Sequence, residues 1–323
     1  MAVRQYSEEE HNVMTEKWAE FFGIPEELRF IYKLYKFEGV TFGHLIPAEY
    51  IGGVRDWKTR EDDIFISTYP KSGTHWMYEI VQLILANGYP DKIDRSKMMK
   101  STLEMRHPPE LVKPTYEALD TAESPRVIMT HLPWQFLPRQ ITEKKKGKVI
   151  VYVVRNPKDV ITSQNRFSLS TTGKQKDEEL WTYLINVFLT GDVMYGSWFD
   201  HVKRHWEHRN QGNVFFTSYE EMKKDLRSII KPLSKFLGHE LDEDALSRVE
   251  EKSTVKAMKK SYDDIEKNVP GGDWMVKAGG KNPFIHKGVT GSWKEVFTVA
   301  ENELFDQVCK EKMTNWDMDV VYD

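Results

Sequence analysis

A single cysteine, Cys309, is the only thiol in this 323-residue chain, so an intramolecular disulfide is excluded. No uninterrupted apolar stretch approaches the roughly 20 residues that cross a bilayer, and mean hydropathy is −0.59. The opening MAVRQYSEEEHNVMTEKW has no apolar core of the kind a secretory signal carries. A cytoplasmic protein without a membrane partner is therefore expected. An excess of one charge is missing too, since 46 Lys and Arg against 50 Asp and Glu leave a formal net charge of −4. That balance argues against nucleic acid as a partner and requires any basic site to be local. Internal repeats and low-complexity tracts are also absent.

What is present is enough apolar residue, 40% hydrophobic and 12% aromatic, to bury a sizeable core. The stretch Thr68-Tyr-Pro-Lys71-Ser-Gly73-Thr74-His75-Trp76 lies between a short apolar run, Ile64 to Ile66, and a helical pattern of Trp76, Met77, Ile80, Val81, Ile84 and Leu85. Asn87-Gly88 and then Pro90 supply a C-cap and a stop. This order reads as strand, phosphate loop, helix. A helix N-terminus offers unpaired N–H groups and the positive end of a dipole, so a loop of small residues feeding it can wrap an anion. Lys71 adds a mobile charge and Ser72 and Thr74 add hydroxyls. GxxxxGK[ST] is absent, which weakens an ATP or GTP reading, including a nucleoside kinase.

The other elements alternate in the same way. Arg126 to His131 reads as a second strand, with Val127, Met129 and His131 on one face and His131 at the C-terminal edge, where open parallel sheets bind ligands. Val149 to Val154 is a near-continuous β-branched run expected of a central strand buried on both faces. Arg155 ends it, Asn156 caps a helix with Pro157 at its first position and Asp159 completing the cap, and Ser163 lies in the second turn. Val214 to Tyr219 is a further strand, followed by one helix from Glu220 to Leu237 with Gly238 as C-cap. Asp263 to Trp293 reads as a loop, favoured as a ligand lid, and the last helix carries Phe297, Val299, Leu304 and Phe305. The fold expected is α/β: one doubly wound domain with a mostly parallel sheet, helices on both faces and a P-loop-like phosphate-binding loop. Residues 1–61 form an N-terminal segment whose aromatics could line a pocket or pack in the core, 62–315 the domain itself and 316–323 a tail.

Four separated stretches resemble the cytosolic sulfotransferases. TYPKSGTHW is similar to that family's phosphosulfate loop TYPKSGTTW, Thr130-His131-Leu132-Pro133 to its KTHLP, Arg155 to Ser163 to its 3′-phosphate signature, and Lys287-Gly288 with Gly291 and Trp293 to its RKGxxGDWK. The resemblance runs from about Asp62 to Met313. It implies transfer of a sulfuryl group from 3′-phosphoadenosine 5′-phosphosulfate (PAPS) to a hydroxyl or amine of a small hydrophobic acceptor such as a phenol or steroid-like alcohol, leaving PAP, without metal or covalent intermediate. By the same resemblance Lys71 is catalytic and, with Ser72, Gly73, Thr74, His75 and Trp76, binds the donor. Arg155 and Ser163 hold the 3′-phosphate, Trp76 stacks on adenine, and Tyr219 touches the nucleotide. Ser253, Thr254, Val255 and Met258 close over it, with His286, Lys287 and Gly288 beyond. His131 is the general base, since a neutral imidazole near physiological pH can take the acceptor's proton. Lys294-x-x-x-Thr298-Val299-x-x-x-Glu303 resembles the family's dimerisation motif and implies a homodimer.

This sequence departs from the family pattern at several points. His75 replaces the second threonine of the loop, Met129 stands where a lysine precedes the catalytic histidine, Val255 replaces an aromatic near adenine, and His286 replaces an arginine. Met129 removes a cation from the sulfuryl side, which leaves open a catalytically weakened, nucleotide-dependent binding protein. Alcohol dehydration, as in retinol-dehydrating insect relatives, is a further alternative.

Overall fold

The computed structural model describes residues 2–105, 115–143, 149–170, 174–268 and 288–318. Strands β1 (Leu34–Phe37) and β2 (Val40–Gly43) form an antiparallel hairpin, and β3 (Ile64–Thr68), β4 (Val127–Thr130), β5 (Val149–Val154) and β6 (Val214–Ser218) form a parallel sheet in the order β4-β3-β5-β6. Ile66 lies opposite both Met129 and Val151, so β3 is flanked on both sides. Apolar residues of the strands divide by parity. Ile64, Ile66, Val127, Met129, Val151 and Val153 pack in one core layer with the helices Thr74–Leu85, Leu226–Phe236 and Glu243–Lys252. Phe65, Ile128, Tyr152 and Val154 pack in the other with Pro157–Ser170, Glu178–Thr190, Trp198–Glu207 and Val299–Lys312. Such period-two division is what a sheet covered by helices on both faces demands.

The strand order places a site. From β3 the chain goes first to β4 on one side and then to β5 on the other, so the connections leave the C-terminal ends of β3 and β5 in opposite directions and open a crevice there. The opposite end of the sheet is locked by a buried ion pair. Arg126 and Asp63, each 3% exposed or less, meet through Nε to Oδ1 at 2.6 Å and Nη2 to Oδ2 at 2.5 Å, just before β4 and β3 begin.

Several expected elements differ. The single helix from Glu220 to Leu237 is two, Tyr219–Lys224 and Leu226–Phe236, because Asp225 (φ −153°) leaves helical geometry to cap the second through the Ser228 N–H. Positions 263–268 belong to the helix Val255–Asn268 and not to a loop. The centre of the expected lid, 269–287, lies outside the described residues. The N-terminal segment contains the helix Glu8–Phe21, begun by a capping box between Ser7 and Glu10, and it packs Met14 against Leu180, Tyr183 and Val187. Phe42 of the hairpin packs against Phe136 and Tyr195 in the core. Among the described residues no helix is long and apolar enough to cross a membrane.

Candidate active site

The phosphate loop follows β3 into the helix Thr74–Leu85. Gly73 caps that helix at φ 106°, and a Cβ there would stand 2.9 Å from Tyr219 Cδ2, so both the turn and the close approach require glycine. The first N–H groups of the helix have no partner within it and open toward the crevice. Ser72 is fully buried and its Oγ has no hydrogen-bond partner. The Lys71 ammonium lies 4.0 Å from the Phe167 ring centroid. Burial, and then the charge of Arg155, press its pKa down to about 7.

Arg155 joins β5 to this loop by donating from Nη1 to the Lys71 carbonyl at 3.0 Å, while Nη2 donates to the Val289 carbonyl at 3.3 Å. Its guanidinium carbon sits 4.2 Å from the Tyr219 ring centroid, and Nε is buried without a partner. Ser72 Oγ and Arg155 Nε are thus two orphaned buried donors beside a helix N-terminus, a donor set suited to phosphate groups. Trp76 meets the Tyr219 ring edge-on at 5.2 Å and donates from Nε1 to the Ser253 carbonyl at 2.9 Å. Val255 and Met258 continue this aromatic slot, and Gly288 presses so close that a Cβ would stand 2.3 Å from Val255 Cγ2.

Asp159 does not complete the cap expected of it. Its carboxylate accepts from the Gly291 N–H at 2.7 Å, the Ser292 hydroxyl at 3.1 Å and the Trp293 N–H at 3.1 Å, tying the segment after the aromatic slot to the helix Pro157–Ser170. The cap is made by Asn156 Oδ1, which accepts from the Lys158 N–H at 2.9 Å.

His131 follows β4 at the rim of the same crevice. Its Nδ1 donates to the Thr68 carbonyl at 2.9 Å, which fixes the tautomer and leaves the Nε2 lone pair free of that bond. Burial lowers its pKa, a shift opposed by Glu104 and by the Thr68 carbonyl and reinforced by Lys71. Its backbone carbonyl accepts from His201 Nε2 at 3.0 Å, and His201 Nδ1 accepts from the Tyr152 hydroxyl at 2.9 Å. A neutral imidazole tautomer aimed at the cleft from a braced backbone can receive a proton.

Of the residues singled out from the sequence, Lys71, Gly73, Thr74, His75, Trp76, His131, Arg155, Ser163, Tyr219, Val255, Met258 and Gly288 line one cleft. Ser253 and Thr254 do not: Ser253 is buried with its hydroxyl on the Val249 carbonyl, and Thr254 accepts from the Ala257 N–H to start the next helix. His286 and Lys287 lie outside the described residues. Met129 was expected to share a face with His131, but it is 2% exposed in the core layer under the phosphate-loop helix, and the chain turns away from the strand after Thr130. Among the described residues none before Pro70 lines the cleft. Met105, Gln164, Arg166, Met194, Tyr195 and Val289 also line it, and no motif announces them. Tyr195 takes a left-handed φ of 72° beside Gly196.

Comparison with known proteins agrees with this geometry. The model of the sulfotransferase domain family matches residues 61–317. Sulfotransferase 1A1 of Rattus norvegicus is 35% identical over 272 residues, covering 84% of this chain and 91% of that protein. The crystal structure of a mouse sulfotransferase, SULT7A1, complexed with PAP is 32% identical and superposes with a TM-score of 0.68 over 88% of this chain and 96% of that one. At the level of fold alone, retinol dehydratase in complex with androsterone and inactive PAP gives a TM-score of 0.74 at 20% identity, over 95% of this chain and 96% of that one.

Proposed function

Since this chain belongs to the sulfotransferase family and is a PAPS-dependent sulfotransferase, we propose that it sulfates a hydroxyl, or an amine, of a small and mostly apolar acceptor in the cytoplasm. The observation that carries this reading is the convergence, at the crevice between β3 and β5, of a phosphate loop, two orphaned buried donors and a histidine of fixed tautomer. PAPS supplies the sulfuryl group. The N–H groups of Gly73 to Trp76, Ser72 and Lys71 hold its 5′ side, Arg155 and Ser163 its 3′-phosphate, and Trp76 and Tyr219 its adenine. Lys71 stabilises negative charge on the departing oxygen, and His131 Nε2 takes the acceptor's proton as the oxygen or nitrogen attacks. Met105, Phe167, Met194 and Tyr195 supply an apolar, deformable wall for the acceptor.

A screen of phenols, alcohols and amines with labelled PAPS, read by product mass, tests this. Sulfated product is expected. Tight PAP binding without transfer to any acceptor would instead mark a nucleotide-dependent binding protein, and an anhydro product would mark dehydration. The homodimer rests on Lys294, Thr298, Val299 and Glu303, all exposed, with Val299 at 75% exposure as an apolar residue open to water.

A further inference from the structure

A carboxylate that no sequence motif marks stands directly behind the base. The segment after the 3-10 helix Arg95–Ser101 runs beside β4: Thr102 bridges to Met129 in parallel register, and the Leu103 N–H donates to the Met129 carbonyl at 2.9 Å. That register brings Glu104 alongside His131. Glu104 is 0% exposed. Its Oε1 accepts from the His131 backbone N–H at 2.8 Å and from the Tyr195 hydroxyl at 3.2 Å, and its Oε2 accepts from the Thr130 hydroxyl at 2.8 Å. The Thr130 hydroxyl itself accepts from the Leu132 N–H at 3.1 Å, so its proton is directed at Glu104. Among the described residues three donors face this group, a match to a carboxylate's acceptor oxygens.

We propose that Glu104 is a positioning residue for the general base: it pins the His131 backbone, holds Tyr195 against the imidazole, and sets a carboxylate beside the imidazolium that forms when the acceptor loses its proton. Each part has its own geometry. The His131 N–H is held by Glu104 while the His131 carbonyl is held by His201, so the peptide on either side of the base is fixed. The Tyr195 ring, tethered through its hydroxyl, meets the His131 ring edge-on at 5.4 Å. Among the described residues the groups facing the imidazole are Glu104 from the edge of β4, Lys71 from the phosphate loop, the Thr68 carbonyl and hydroxyl at the end of β3, His75 from the phosphate-loop helix, His201 and Tyr195. Glu104 is the anion among them, and it acts against both burial and Lys71 in keeping the base basic.

The proposal rests on His131 being the base, and the test separates the two. Glu104→Gln keeps the shape and removes the charge, so PAP affinity is expected to stay within about twofold while turnover falls about 10- to 100-fold. The acid limb of the pH–turnover profile is expected to move to lower pH by about one unit, because an imidazole deprived of a neighbouring anion is harder to protonate. A merely structural role would lower turnover without moving that limb. Wild-type turnover in folded Glu104→Gln, or a reduced turnover with an unmoved limb, would overturn the proposal. Should Glu104→Gln fail to fold, Glu104→Asp retains the charge one methylene further back; it is expected to lose turnover while keeping the wild-type limb, and a lowered limb or undiminished turnover there would refute the role equally. His131→Ala, measured in parallel, reports on the base itself: if it keeps its turnover, the base reading fails regardless of what Glu104 variants do.

Discussion

Lys71 enters the cleft of the free protein with its pKa pressed to about 7 by burial and by Arg155. Above that pH the free side chain is mostly uncharged, and a bound nucleotide phosphate favours its ammonium form. Binding of PAP is therefore expected to take up a proton near pH 8, with affinity weakening as pH rises past 7 and no such loss below it. Calorimetry of PAP binding in buffers of different ionisation enthalpy measures this directly. A buffer-independent enthalpy at pH 8, or an uptake that survives in Lys71→Met, would show that Lys71 is not the titrating contact. The loop and Arg155 were legible in the sequence because their chemistry needs fixed residues at fixed spacing. Tyr195, Met194 and Glu104 were not, since they reach the cleft through loops whose course only packing decides. Met129 was legible as a departure from the family pattern, but its separation from His131 was not, because strand alternation ceases to apply once β4 ends at Thr130.

Elements buried on both faces announced themselves. β5 spans Val149–Val154 as its near-continuous β-branched run implies, and Gly73 and the Asn87-Gly88 turn bound the phosphate-loop helix where expected. The break at Asp225 escaped notice because Met222, Ile230 and Leu233 all pack in the same core layer on either side of it, so the apolar period carries through. Asp159 escaped for another reason: a carboxylate in a first helical turn reads as local, yet here its three partners lie more than a hundred residues away. The Asp63–Arg126 lock yields an element-scale expectation. Asp63→Asn removes the bidentate partner of a buried guanidinium at the end of the sheet remote from the cleft and leaves it, among the described residues, only Asp120 at 3.9 Å as a counter-charge, so stability by denaturant titration is expected to fall by about 3–5 kcal/mol with PAP affinity retained in the folded fraction. A loss below about 1 kcal/mol would mean that the pair does not lock the strand starts.

For the whole molecule, the fold class followed from alternating strands and helices, whereas the strand order and hence the crevice did not, because sequence order leaves open on which side of β3 each new strand adds. The exposed Val299, at the first position of the last helix beyond the Thr298 cap, is expected to lie in a contact between two copies of this chain. Val299→Glu should halve the mass seen by light scattering; an unchanged mass would remove this residue from any such contact. Most direct of all is transfer of radiolabelled sulfur from PAPS to a panel of phenols and alcohols, by wild type and His131→Ala side by side at saturating donor. Labelled ester from the wild type and a loss of about 100- to 10,000-fold in the variant are expected if the crevice performs base-assisted sulfuryl transfer. Undiminished transfer by His131→Ala, or no labelled product from the wild type despite bound PAP, would contradict it.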